Sequence, residues 1–162
     1  MPVPDIDLNK WPAARPQLDV ESVVMDLFER SFADDADWSR VMVFNEIDVD
    51  VDAYANVTDV VVFHCLPPRF ASGNHRGAVW TCPLSILVES VDADRAFALA
   101  SHVRMLVMRW PFMQPGGEGR VLDVPTPPSF AKAAGGKQAT SKRIKQYATA
   151  SDCVITVRDP FE

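Results

Sequence analysis

The densest run of side chains able to bind a metal lies between residues 48 and 59. Asp48, Asp50, Asp52, Asn56 and Asp59 occupy positions 1, 3, 5, 9 and 12 of a twelve-residue window, which are the ligand positions of a calcium loop. Two departures matter chemically. Ala53 stands where that loop needs glycine for its sharp turn, and the window ends on Asp59 rather than the longer, bidentate Glu. The flanks read as strands rather than helices, and alternating Asp-Val-Asp-Val-Asp is also the pattern of a ribbon with one solvated face. No metal site is expected there. His64, His75 and His102 likewise have no Cys or carboxylate at zinc spacing.

Nucleophilic chemistry would have to come from Cys65, Cys82 or Cys153. A thiol needs an adjacent base. His64 neighbours Cys65 in sequence, but adjacent residues of a strand point to opposite faces, which separates the pair. His64 is read as a hydrogen-bonded core or interface histidine, His75 as a surface residue beside Asn74 and Arg76, and His102 as a helical residue beside an apolar stripe. Cys65 and Cys82 would face each other if the intervening hairpin were symmetric about Gly73-Asn74. The odd cysteine count and the lack of C-x-x-C spacing point instead to reduced, buried thiols in a protein folded in the cytosol. Gly116-Gly117-Glu118-Gly119 lacks the Gly-Lys-Ser/Thr ending of a phosphate loop. Lys132, Lys137, Lys142, Arg143 and Lys145 form a basic set with no interleaved aromatic platform for stacking bases. No catalytic residue, metal or cofactor is therefore assigned.

Composition narrows the class. A chain of 162 residues suits one domain with its own core. The net charge of −6 opposes tight nonspecific binding to nucleic acid. No apolar run has the length of a membrane helix, and Met1 to Lys10 has no apolar centre, so neither a membrane span nor a secretory signal is expected. Thirteen prolines against seven glycines imply extended loops rather than flexible linkers.

The elements that would position these residues follow from periodicity. Residues 1–18, with Pro2, Pro4, Pro12 and Pro16 and the single large anchor Trp11, read as an N-terminal arm, and residues 19–162 as one α/β domain. Asp19 is the expected cap of a helix whose Val20, Val23, Val24, Leu27 and Phe28 form an apolar stripe, ending near Phe32. Residues 40–47 predict a short strand. Val60 to Leu66 predict a strand covered on both faces and stopped by Pro67 and Pro68. Residues 67–77 predict a polar loop. From Ala78 a long strand puts Trp80, Cys82, Leu84, Ile86 and Val88 on one face, and Pro83 suggests an edge position or a bulge. Asp92 caps a second helix, with Ala96, Leu99, Ala100, Val103, Leu106 and Trp110 on one face and Pro111 as its stop. A short strand from Arg120 to Val124 and a long one carrying Thr149, Cys153, Ile155 and Val157 on one face complete the order, with a segment around 130–142 expected to be mobile. The order predicts an α+β fold: a mostly antiparallel sheet of about 4–6 strands, with two main helices packed on one side.

Two segments carry a resemblance. One is Val121-Leu122-Asp123-Val124-Pro125-Thr126-Pro127-Pro128-Ser129. The other is Tyr147-Ala148-Thr149-Ala150 followed, after two residues, by Cys153-Val154-Ile155-Thr156-Val157-Arg158. Together with the order of elements over roughly residues 19–158, they make the chain resemble tail terminator proteins of long-tailed, siphovirus-type bacteriophages, particularly those of actinobacterial phages. The resemblance implies a structural virion protein rather than an enzyme. It would be assembled in the host cytoplasm and form a homohexameric ring at the head-proximal end of the tail. There the ring stops tail-tube polymerisation, meets the tail tube protein on one side and the head connector or stopper on the other, and lets DNA pass through its lumen. An acidic lumen would let DNA slide, because few phosphates are neutralised.

The expected assembly surfaces are the two long polar segments. Arg69, Phe70, His75 and Arg76 represent the 67–77 loop, and Lys137, Lys142 and Arg143 represent the 130–145 segment. A head-completion or stopper protein of the neck is the alternative within the virion. A small cellular α/β enzyme or ligand-binding domain using His64 and Cys65 is the alternative of another class.

Overall fold

A computed structural model describes residues 17–45, 59–70, 79–114, 117, 119–132 and 147–158. The two helices start where a carboxylate meets the free N–H groups of a first turn. The Ser22 amide donates to Asp19 Oδ1 at 3.1 Å and opens α1, Val20–Phe32. The Arg95 amide donates to Asp92 Oδ1 at 2.7 Å and opens α2, Ala93–Arg109. A 3-10 turn over Trp110–Phe112, with Pro111 in it, closes α2.

The strands are β1 (Met42–Asn45), β2 (Val60–Cys65), β3 (Arg69–Phe70), β4 (Val79–Ser90), β5 (Arg120–Thr126) and β6 (Tyr147–Arg158). Among the described residues they form a mixed, mostly antiparallel sheet in the order β1-β2-β4-β6-β5, with β3 also on β4. This is the α+β architecture expected from the order of elements. Its one parallel pair, β1 with β2, joins Met42 to Val60 and Asn45 to Phe63. A parallel neighbour needs a long crossover, and the segment 46–58 has the length for one. β1 is shorter than the expected 40–47, because the Val41 amide donates a hydrogen bond to the Trp38 carbonyl and the residue is held in a turn. Its last two expected residues lie outside the described set.

β6 lies along the whole length of β4, from Val79 opposite Arg158 to Ser90 opposite Tyr147. The other edge of β4 is shared by β2 and then β3, with a break at Leu66-Pro67-Pro68. Pro83 therefore stands in a central strand and not at an edge. The Leu66 amide donates to the Pro83 carbonyl. The N–H and C=O of one antiparallel residue point the same way, so the donor that proline lacks falls at the break between β2 and β3. Arg69 and Phe70, expected in a loop, resume the pairing on Thr81 and Trp80 because the chain returns to β4 past the two prolines.

The core lies between one sheet face and both helices. Cys82, Leu84, Ile86 and Val88 of β4, with Cys153, Ile155 and Val157 of β6, meet Val23, Val24, Leu27 and Phe28 of α1 and Leu99, Ala100 and Val103 of α2. Phe28 is its hub. Its ring stands edge-on to Trp110 at 5.0 Å and lies 5.9 Å from Phe63. Trp110 Nε1 donates to Ser31 Oγ at 3.2 Å, so the buried indole keeps a polar partner and ties the helices together. Leu18, expected in the arm, is buried in this core, because the chain enters α1 from within the packed layer. The rest of the arm, residues 1–16, lies outside the described set.

Candidate functional site

The one described member of the acidic window, Asp59, is not free to bind calcium. It is 2% exposed and accepts Arg95 Nε at 2.9 Å and Arg95 Nη2 at 2.5 Å, with Ser90 Oγ donating at 2.7 Å. Burial pushes its carboxyl up, but the hydrogen bonds from Arg95 and Ser90 and the charge of Arg95 outweigh burial and hold it below its ordinary value. The Asp59 carbonyl also accepts the Met42 amide. One residue thus joins β1, β4 and α2. The Arg95 guanidinium in turn covers the Trp38 ring at 4.9 Å, and Trp38 stacks on His102 at 5.8 Å. His102 Nε2 meets Asp35 Oδ2 at 2.5 Å. His102, expected on a helix beside the apolar stripe, therefore pins the loop after α1 to α2. The remaining acidic-window residues lie outside the described set, and no group of three or more His, Cys, Asp or Glu among the described residues could hold a metal.

The cysteines are free thiols. The β2–β4 register sets Cys65 opposite Leu84, so Cys82 stands two residues away from the symmetric position and the two do not face each other directly. Burial, the leading cause in each, pushes all three thiols up to about 12, with nearby acids adding to this at Cys65 and Cys153. His64 lies opposite Ser85 and is exposed, on the sheet face away from the helices, whereas Cys65 packs against the core. His64 is thus a surface residue and not a core one. The coverage of β2 on both faces holds at Val60 and Val61 and ends before His64.

Of the expected assembly residues, Arg69 and Phe70 are described. Both are exposed on β3. The Phe70 ring, 59% exposed, stacks on the buried Trp80 ring at 4.0 Å. A large apolar side chain is thereby fixed at the surface where β2 breaks off. His75, Arg76, Lys137, Lys142 and Arg143 lie outside the described residues. Just before the basic segment the chain is pinned across β6 and α2. The Ser129 amide donates to Ser151 Oγ, Thr149 Oγ1 donates to the Ala131 carbonyl, Arg104 donates to the Pro128 carbonyl, and Lys132 pairs with Asp94.

One surface escaped the reading of the sequence. Outward from the core, α2 and its closing turn expose Phe97, Met105, Met108 and Phe112, by 38%, 47%, 42% and 87%. These positions recur at helical spacing on the side opposite Leu99, Val103 and Leu106. The signal was present as a second apolar stripe, masked because the stronger inner stripe accounts for the helix by itself. No helix among the described residues is long and apolar enough to cross a membrane.

No protein-family model matches this chain, and no curated protein matches it. Among solved structures, one chain with no functional name is similar over 88% of this chain and 96% of its own length, at 16% identity and a TM-score of 0.43.

Proposed function

We propose that this chain is a ring-forming virion protein of the tail terminator type. It caps the head-proximal end of a phage tail tube, stops tube growth and joins the tail to the head connector, with DNA passing through the ring. The observation that carries this reading is the resemblance at residues 121–129 and 147–158. Its support is that β5 and β6, which hold most of those residues, are paired neighbours, with Val121 opposite Val157. Contacts for tube and connector are then assigned to the exposed Arg69-Phe70 pair and to the basic segment that carries Lys137, Lys142 and Arg143. The work is done by surface fit and self-association. The neutral thiols and the separation of His64 from Cys65 suit a non-catalytic role.

Mixing the purified chain with tail-tube subunits and imaging by negative stain tests the reading. Tubes of limited length bearing a six-fold ring at one end are expected. Arg69→Glu should cap fewer tubes while melting near the wild-type temperature, since Arg69 is exposed. Tubes that elongate past the protein, with no six-fold ring at any concentration, would sink it.

A further inference from the structure

Among the described residues, the outer stripe of α2 holds the large apolar side chains left exposed on a helix. Phe97, Met105 and Met108 lie along α2 and Phe112 in its closing turn, with the small, exposed Ser101 between them. Single exposed apolar residues are ordinary, but a contiguous stripe on a helix marks a contact surface.

Its rim identifies the occupant. Arg104 and Arg109 are exposed beside the stripe, and neither forms an ion pair among the described residues, although Arg104 donates to the Pro128 carbonyl. The acid on the same outer side, Asp94, is already taken by Lys132. A surface that covers the stripe must therefore bring unpaired carboxylates. A second α2 cannot, because it brings surplus cations. The chain itself offers such carboxylates elsewhere. Glu29, near the end of α1, and Asp34 and Asp37, in the loop after it, are exposed, and no side-chain partner meets their carboxylates among the described residues. Arg40 is exposed in the same loop and trims this charge without cancelling it. The Asp35–His102 pair and the Trp38 ring hold that loop rigidly against α2 of its own chain, so the acidic surface is presented in a fixed place.

We infer that the α2 stripe of one copy docks on the acidic end of α1 of a second copy, with Arg104 and Arg109 facing Glu29, Asp34 and Asp37. The two patches share no residue, although the end of α1 lies beside the turn that closes α2, where Arg30 donates to the Gln114 carbonyl. Each copy then keeps one free patch of each kind after pairing, which is the head-to-tail contact that closes a ring or propagates. The inference deepens the ring reading and rests on it for the expectation that copies associate.

Sedimentation velocity on the full chain over a concentration series tests it. The wild type is expected to form an assembly larger than a dimer. Met108→Ser with Phe112→Ser should weaken association by roughly tenfold or more. Arg104→Glu with Arg109→Glu, and separately Glu29→Lys with Asp34→Lys, should each weaken it likewise. Combining the two charge reversals should restore it. Circular-dichroism melts should stay near wild type in the variants that keep Arg104, whereas those that replace it lose the bond to the Pro128 carbonyl and should melt slightly lower. Several outcomes would overturn the inference: a wild type that stays monomeric, a two-fold dimer, an assembly indifferent to these variants, or a combined reversal without rescue. An indifferent assembly that still caps tail tubes would sink this contact and leave the ring reading standing. A head-to-tail assembly that caps nothing would do the opposite.

Discussion

Asp59 at the mouth of β2 and Arg95 in the first turn of α2 form a two-pronged ion pair, Nε to Oδ1 and Nη2 to Oδ2, across 36 residues of sequence. The carboxylate is buried while the guanidinium is partly open to solvent, so the pair is asymmetric. Removing the arginine leaves a buried charge behind, whereas removing the acid leaves a cation that water can reach. The pair also fixes where β1 begins, because the Asp59 backbone carries the Met42 amide.

This asymmetry gives a pH signature. The Asp59 carboxyl has a lower pKa in the folded chain than in the unfolded one. Its stabilisation is therefore fully present above the unfolded value of about 3.9 and is lost as pH falls through the lower folded value. Asp59→Asn should cost about 1–3 kcal/mol at neutral pH, and its deficit relative to wild type should shrink below about pH 4. Urea titrations at several pH values measure this. A deficit that grows on acidification would contradict it. Arg95→Lys keeps the charge but loses the fork, and should fall between wild type and Arg95→Ala.

Phe28 touches Phe32, Phe63 and Trp110 and is fully buried. Phe28→Ala should cost about 3–5 kcal/mol, while Phe28→Leu should cost less because it leaves a smaller void. Denaturant unfolding followed by tryptophan fluorescence reads both. Equal losses would mean that filling the void gives no benefit and that the ring contacts with Phe32, Phe63 and Trp110 carry the whole effect.

The three thiols, raised to about 12, are neutral at pH 8. Ellman's reagent should label the native chain slowly and should titrate all three cysteines promptly in denaturant. Cys65 should react first, because it is the least buried of the three. Prompt native labelling of Cys153 would contradict the packing of β6 against the helices.

Gly119 enters β5 with φ at 147°, a backbone region that side-chain-bearing residues avoid. A Cβ there would lie 3.0 Å from the Arg158 carbonyl oxygen and 3.1 Å from Val157 Cγ1. Gly119→Ala should destabilise by about 1–3 kcal/mol. Thermal melts check it, with Gly117→Ala as the control, since a Cβ at Gly117 meets nothing within 4 Å.

Local physics was legible in the residues themselves. The caps Asp19 and Asp92, the inner stripes of both helices and the buried faces of β4 and β6 all follow from periods of 3.6 and 2 and from unsatisfied N–H groups, each set within a few residues. Pairings between distant segments were not legible, because nothing in one strand's alternation names its neighbour. Tertiary structure alone set β1 parallel to β2, returned Arg69-Phe70 to β4 beyond two prolines, and gave Pro83 a central place opposite a gap. It also turned the last ligand position of an apparent calcium window into the buried partner of Arg95. The types and spacing of the acids could not show this, since the competing cation lies on another element.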